Sequence, residues 1–240
     1  MKDAIVIIPT YNEIENIEAI IRAVLDRDEA CDILVVDDNS PDLTAEKVKT
    51  LQKEFPERLF LLQRQNKTGL GTAYIEGFKW CLEKKYEYIF EMDADFSHNP
   101  DDLVKLYNAC AKDGADVAIG SRYITGVNVV NWPMNRILLS YFASKYVRFI
   151  TRMKIQDTTA GFICYKRKVL ETIDLDMIKF VGYAFQIEMK FKAHLKGFKI
   201  VEVPVIFTDR AKGKSKMSGG IVSEAIFGVI YMKFKSLFHK

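Results

Sequence analysis

Apolar residues recur along the first half of the chain in two alternating rhythms. Short runs rich in β-branched and aromatic side chains occupy Ala4 to Pro9, Ile33 to Val36, Leu59 to Leu62, Tyr88 to Met92 and Val117 to Ile119, as strands covered on both faces require. Between them the spacing becomes helical, as in Ile14, Ile17, Ile20, Ile21, Val24 and Leu25. Strand and helix in alternation predict an α/β fold, a mostly parallel central sheet flanked by helices. Beyond Arg122 the rhythm changes. The pattern there predicts a long helix from Met134 to about Arg152, a turn at Thr158-Thr159-Ala160-Gly161-Phe162 and a helix from about Tyr183 to Lys196. A strand pair around Lys199 to Phe207 and a C-terminal helix follow. No Ser- or Pro-rich linker and no internal repeat interrupts the chain, so residues 1–240 read as one domain with helical additions.

With 240 residues and 49% hydrophobic content, the chain is long enough to bury a full core. Its formal charge of +3 is too small to imply nucleic acid as a partner. Basic residues crowd after position 122, so anionic partners are expected on the second half. Cys31, Cys81, Cys110 and Cys164 lie far apart in apolar surroundings, which suits buried thiols in a reducing cytosol. The N-terminal apolar run ends at Pro9, and no later segment approaches the roughly 18 uncharged residues of a membrane span. Neither signal-led secretion nor a transmembrane helix is expected.

In a parallel sheet of this kind, ligands sit beyond the carboxyl ends of the strands. The most informative of those ends is Met92-Asp93-Ala94-Asp95-Phe96-Ser97-His98. Two carboxylates at i and i+2 leave the strand together and suit a divalent cation, although paired aspartates also form turns and helix caps. At the other ends, Glu13 and Asp37 offer acceptors for a ribose and base and Tyr11 offers a stacking ring, while Asn12 and Asn39-Ser40 double as helix caps. Asn66-Lys67-Thr68-Gly69-Leu70-Gly71 resembles part of a dinucleotide fingerprint, but Tyr74 stands where the third glycine belongs, which disfavours an NAD site. Arg122 follows the fifth strand, and Arg136 and Ser140 share a helix face one turn apart; these three are candidates to hold a phosphate. Lys145, Arg148 and Arg152 form a second stripe roughly opposite Arg136. It faces either solvent or anionic lipid headgroups.

Taken in order, Ile8-Pro9-Thr10-Tyr11-Asn12-Glu13, Val35-Val36-Asp37-Asp38-Asn39-Ser40, Gly69-Leu70-Gly71, the Asp93 to His98 segment, Gly120-Ser121-Arg122-Tyr123 and Arg210 with Gly213-Lys214-Ser215-Lys216 make six motifs. Together they resemble the family 2 inverting glycosyltransferases, and more narrowly the dolichyl or polyprenyl phosphate mannose synthases, over roughly residues 4 to 220. The resemblance implies a GT-A fold, GDP-mannose as donor, a polyprenyl phosphate as acceptor, and Mg2+ or Mn2+ on the diphosphate. By that likeness Pro9, Tyr11, Glu13, Asp37, Asp93, Ala94 and Lys216 would line the donor nucleotide, and Asp95 and Ser97 would face the metal. Arg122, Arg136 and Ser140 would take the acceptor phosphate. Catalysis would fall to Asp95, Arg122 and Arg210, the last on a cationic segment able to close over the diphosphate. Residues 1–122 would form the nucleotide half and 123–217 the acceptor half. Residues 218–240 would form a helix for the membrane interface or for a small membrane subunit. The expected location is the cytoplasmic face of a membrane, attached peripherally.

The chemistry agrees with what is missing. A sugar-hydroxyl nucleophile needs a carboxylate base, yet Tyr183-Ala184-Phe185-Gln186-Ile187-Glu188-Met189 has no acidic pair, only Glu188 as a candidate. A phosphate monoester, with a second pKa of about 6, is already largely a dianion at neutral pH and needs no base. A UDP-glucose or other hexosyl transferase to polyprenyl phosphate and a non-catalytic nucleotide-sugar-binding subunit are the competing readings of the same residues.

Overall fold

The computed structural model describes residues 1–27, 29–182, 184–209 and 220–237, with the side chains of 220–226 left aside. Tyr183 and the segment containing Arg210, Lys212, Lys214 and Lys216 therefore lie outside the described residues.

The first half builds as its periodicity dictates. Strands β1 (Ala4–Thr10), β2 (Asp32–Asp37), β3 (Leu59–Gln63), β4 (Tyr88–Glu91) and β5 (Val117–Ser121) alternate with helices α1 (Ile17–Leu25), α2 (Thr44–Leu51), α3 (Leu70–Leu82) and α4 (Leu103–Ala111). Side chains alternate across β1. Ile5 and Ile7 enter a core with Tyr74 and Phe78 of α3. Ala4, Val6 and Ile8 enter a second core with Ile17, Ile20 and Val24 of α1 and Leu106 of α4. The sheet is thus covered on both faces, which is why its strands read as continuous apolar runs.

The second half contributes β6 (Val129–Val130), α5 (Met134–Thr151), β7 (Ile163–Lys166), α6 (Arg167–Thr172), α7 (Ala184–Leu195), β8 (Ile200–Pro204), β9 (Phe207–Thr208) and α8 (Gly220–Lys235). Seven strands form one sheet in the order β3-β2-β1-β4-β7-β5-β8. Only β7 runs antiparallel, between β4 and β5. Sequence periodicity did not announce β7, because its four residues sit directly behind the turn at 158–162.

The expected strand pair near Lys199 to Phe207 needs correction. Its two strands do not pair with each other: β8 joins β5 in parallel at the sheet edge, and β9 joins β6 in a separate two-stranded ladder. Pro204 closes β8 and has no N–H with which to extend a ladder. The chain then crosses the carboxyl end of β5, with Val205 N–H donating to Ser121. This crossing carries Phe207 and Asp209 over the strand ends where the candidate residues gather.

Candidate active site

At the ends of β1 and β2, one carboxylate fixes the floor. Asp37 is fully buried and accepts from Thr10 Oγ1 at 2.8 Å, Ser40 Oγ at 2.6 Å and Ser40 N–H at 2.9 Å. It ties two strand ends together. Pro9, opposite Val36 in the ladder, and Tyr11 stand half-buried beside it. The Lys67 ammonium lies 4.2 Å from the centre of the Tyr11 ring, so a cation already occupies that face. Glu13 accepts from Asn16 Nδ2 at 3.0 Å.

The loop after β4 turns sharply at Phe96, whose φ of +61° is strained for a bulky side chain. This bend buries the residues on both sides of it. Asp95 and Ser97 both point inward, and Asp95 Oδ1 accepts the Ser97 N–H at 3.0 Å. Ala94 is buried between the aspartates, whereas Asp93 stays half-exposed. His98 is buried, with its ring stacked on Phe162 at 4.9 Å and set edge-on to Phe207. Its Nδ1 accepts the Asp93 N–H at 3.2 Å. Burial pushes the imidazole down to about 4, so it is neutral near pH 7 and acts here as an acceptor.

The loop fits a divalent cation. Ser97 Oγ is buried and has no hydrogen-bond partner, which is costly unless a ligand completes it, and it stands next to the Asp95 carboxylate. Among the described residues no three His, Cys, Asp or Glu groups converge on a metal position. A hard cation here would take few protein ligands and complete its shell with diphosphate oxygens and water.

The basic side of the site is built around Arg122. Its guanidinium is buried and makes a two-pronged ion pair with Asp157, Nε to Oδ2 and Nη2 to Oδ1 both at 2.6 Å, with Thr159 Oγ1 at 2.9 Å from Nη2. Burial alone would push the Asp157 carboxyl up, but the charge and hydrogen bonds of Arg122 hold it below the usual carboxylate range. Trp132 lies between the two candidate arginines, with Arg122 at 5.4 Å and Arg136 at 4.0 Å from its ring centre. Arg136 also pairs with Asp209 at 2.9 Å. Ser140, one turn along α5, stands against the Tyr123 phenol. The structure thus brings Arg122, Arg136 and Ser140 to one aromatic-lined corner. A cavity of about 20 Å³, lined by His98, Gly120, Arg122, Ala160 and Phe207 among others, separates this corner from the Asp93 to His98 loop. It has room for a water molecule and little more.

Three features of the site were not legible beforehand. Asp157 and Asp209 meet Arg122 and Arg136 across 35 and 73 positions, which no local spacing reports, and Trp132, four positions before Arg136, carries no motif that marks it. The Gly69-Leu70-Gly71 motif serves packing: a Cβ on Gly71 would lie 2.7 Å from the Phe180 carbonyl oxygen, and Gly69 has a φ of +117°. Glu188 is buried, and its Oε2 accepts the N–H groups of Lys179 and Phe180 at 2.9 and 3.1 Å. It braces the loop before α7 and does not stand open as a base.

Comparison with known proteins places the chain in a family and its fold among known ones. Residues 5–174 match the family described as glycosyl transferase family 2. The chain is 48% identical over 225 residues to polyprenol monophosphomannose synthase of Mycolicibacterium smegmatis, covering 94% of this chain and 84% of that protein. It is 46% identical to undecaprenyl-phosphate mannosyltransferase of Micrococcus luteus, covering 93% and 90% respectively. In structure it is similar to glucosyl-3-phosphoglycerate synthase of Mycobacterium tuberculosis in complex with Mn2+, UDP and glucosyl-3-phosphoglycerate. That likeness has a TM-score of 0.68 at 14% identity and covers 97% of this chain and 79% of that one. The fold is GT-A-like.

Proposed function

The chain belongs to glycosyl transferase family 2, and from that membership we propose that it transfers mannose from GDP-mannose to a polyprenyl phosphate, with inversion at the anomeric carbon and release of GDP. The mannosyltransferase relatives support the sugar and the lipid class. The observation that carries the reading is that His98 of the carboxylate-hydroxyl loop and the Arg122 guanidinium both lie against the Phe207 ring, which sets that loop and the arginine corner side by side. One side suits a diphosphate and the other a phosphate nucleophile.

In this reading Pro9, Tyr11, Glu13, Asp93 and Ala94 border the nucleotide, and Asp37 holds their strand ends in place. Asp95 and Ser97 would hold Mg2+ or Mn2+, which supplies Lewis-acid stabilisation of the departing diphosphate. Arg122, kept in one orientation by Asp157, and Arg136 with Ser140 receive the acceptor phosphate and offset its charge. No proton has to leave the nucleophile, which is consistent with Glu188 being tied to backbone N–H groups. Arg210 and Lys216, which the family resemblance assigns to the diphosphate, lie outside the described residues. Residues 1–122 then serve the donor and 123–217 the acceptor.

A lipid acceptor requires contact with a membrane, and α5 with α8 is the surface we assign to it. Met134, Leu138, Phe142 and Phe149 are exposed along one face of α5, and Phe142 and Phe149 remain 58% and 67% exposed. Lys145 and Arg152 share that face, their cations lying over Tyr141 and Phe149. On α8, Val229 and Met232 pack into the core while Phe227, Ile230 and Phe234 face outward. An apolar face with interleaved cations suits the headgroup region of an anionic leaflet, here the cytoplasmic one, with a small membrane subunit as the alternative occupant of α8. Among the described residues no helix is long and apolar enough to cross a membrane.

The test is a donor panel. The purified chain is incubated with radiolabelled GDP-mannose, UDP-glucose and other nucleotide sugars, with Mn2+ or Mg2+ and a short polyprenyl phosphate, and lipid-extractable label is counted. Label from GDP-mannose alone is expected. Label from a UDP-sugar in its place would overturn the donor.

A further inference from the structure

Behind the Asp93 to His98 loop, two buried ionisable residues, Glu91 and Lys190, are joined through Gln186 in a relay that the proposed reaction does not use. Glu91, the last residue of β4, has no exposed surface and accepts a hydrogen bond from Gln186 Nε2 on α7. One turn further along α7, Lys190 also has no exposed surface. Its ammonium donates to the Ala160 carbonyl at 2.6 Å and to the Gln186 carbonyl at 3.1 Å. Burial raises the Glu91 carboxyl and lowers the Lys190 ammonium, each group's charge partly opposing the other's shift, and the phenols of Tyr74 and Tyr165 are buried near the same carboxyl.

Packing alone does not account for this lysine. A methionine would fill a similar volume without the desolvation cost that a buried ammonium carries. What the ammonium does, and a thioether cannot, is fix the carbonyl of Ala160. That residue sits in the turn at 158–162, the segment whose neighbours Asp157 and Thr159 grip the Arg122 guanidinium. At the other end of the chain of contacts, Glu91 is two residues from Asp93. The path Asp93 loop, Glu91, Gln186, Lys190, Ala160, Arg122 therefore runs through the core from the donor side of the site to the acceptor side.

We propose that Lys190 is a positioning residue which, anchored through Gln186 to Glu91, holds the Arg122 corner at a fixed distance from the Asp93 to His98 loop, so that the acceptor phosphate meets the anomeric carbon in line. This rests on the proposed mannosyl transfer. The two loops carry opposite partners of one displacement, and a small shift between them lowers the rate of an aligned reaction far more than it weakens the binding of either partner alone.

The experiment compares wild type with Lys190→Met and with the double variant Glu91→Gln/Lys190→Met, in which no unpaired charge is left in the core. Removing both buried ionisable groups leaves neither with an uncompensated charge to desolvate, so the double variant is expected to melt within a few degrees of wild type. It should nonetheless show roughly tenfold lower kcat/KM for a short polyprenyl phosphate. Its affinity for GDP with Mn2+ should stay within about twofold of wild type. Amide hydrogen exchange at 158–162 should speed up by about tenfold while α7 stays protected. A double variant with normal kcat/KM and unchanged exchange at 158–162 would show a purely structural pair and overturn the proposal. Equal losses for GDP and acceptor would overturn it too, as general loosening. If the double variant does not fold, Lys190→Gln is read by the same quantities. If wild type itself transfers no sugar, the functional reading fails, and the exchange measurement still decides whether Lys190 fixes the turn.

Discussion

In the proposed transfer Arg122 has two duties that compete, because a guanidinium gripped by Asp157 has fewer N–H groups for a ligand but a fixed direction in which to present them. The loss of orientation is the testable side. Asp157→Asn leaves a buried cation without its counter-charge, which typically costs about 3–5 kcal/mol. The pH dependence has a definite sign. Since Arg122 depresses the Asp157 carboxyl below its unfolded value of 3.8, the pair contributes fully above that pH and its contribution is lost as pH falls through the lower folded value. Urea unfolding of wild type and Asp157→Asn should therefore differ most at pH 7 and converge as the solution becomes strongly acidic. Curves offset by the same amount at every pH would contradict the assignment. On the opposite side of the site, Asp95→Asn should lower turnover by about 100-fold or more. Ser97→Ala should act mainly by raising the Mn2+ concentration needed for half-maximal rate. Rates measured against metal concentration separate the two, and a Ser97→Ala enzyme with unaltered metal dependence would remove Ser97 from the coordination shell.

At the scale of elements, α5 has the most to answer for, since one helix supplies Arg136 and Ser140 to the site and an apolar outer face to something else. Phe142 and Phe149 project from that outer face, and each large apolar side chain buried in a membrane contributes roughly 2 kcal/mol. Phe142→Ser with Phe149→Ser should weaken binding to anionic liposomes by about 100-fold or more, with turnover of a short water-soluble acceptor retained. Unchanged sedimentation with liposomes would move the membrane contact elsewhere. The elements differ in how far the sequence disclosed them. The first five strands and the helices between them follow periodicity closely, since each is long enough to show its spacing and each strand end carries a motif. β7 has only four residues and directly follows a turn, so its apolar run reads as the end of that turn. β8 and β9 are visible as strands, but their partners are 80 residues or so away in β5 and β6, and partner choice is a tertiary fact. The same limit hides Asp157, which meets Arg122 across 35 positions, whereas the adjacency of Asp95 and Ser97 is visible in the sequence because both follow β4 on one short loop.

For the whole molecule, the arrangement is a two-sided one. The carboxyl ends of the parallel strands carry Tyr11, Asp37 and the Asp93 to His98 loop. The additions after β5 bring a cationic, aromatic corner against it and an apolar helical face beside it. Such a layout suits, in the proposed reaction, three partners of different polarity: a nucleotide diphosphate, a phosphate nucleophile and the lipid that carries it. In the proposed transfer the nucleophile is a phosphate dianion, placed by Arg122 and Arg136 without a general base. The deciding measurement offers the enzyme labelled GDP-mannose with either a short polyprenyl phosphate or the corresponding polyprenol at equal concentration and counts lipid-extractable mannose. The account predicts transfer to the phosphate and none above background to the alcohol. Comparable transfer to the alcohol would contradict it, because a hydroxyl nucleophile requires the base that Glu188, tied to backbone N–H groups, does not supply.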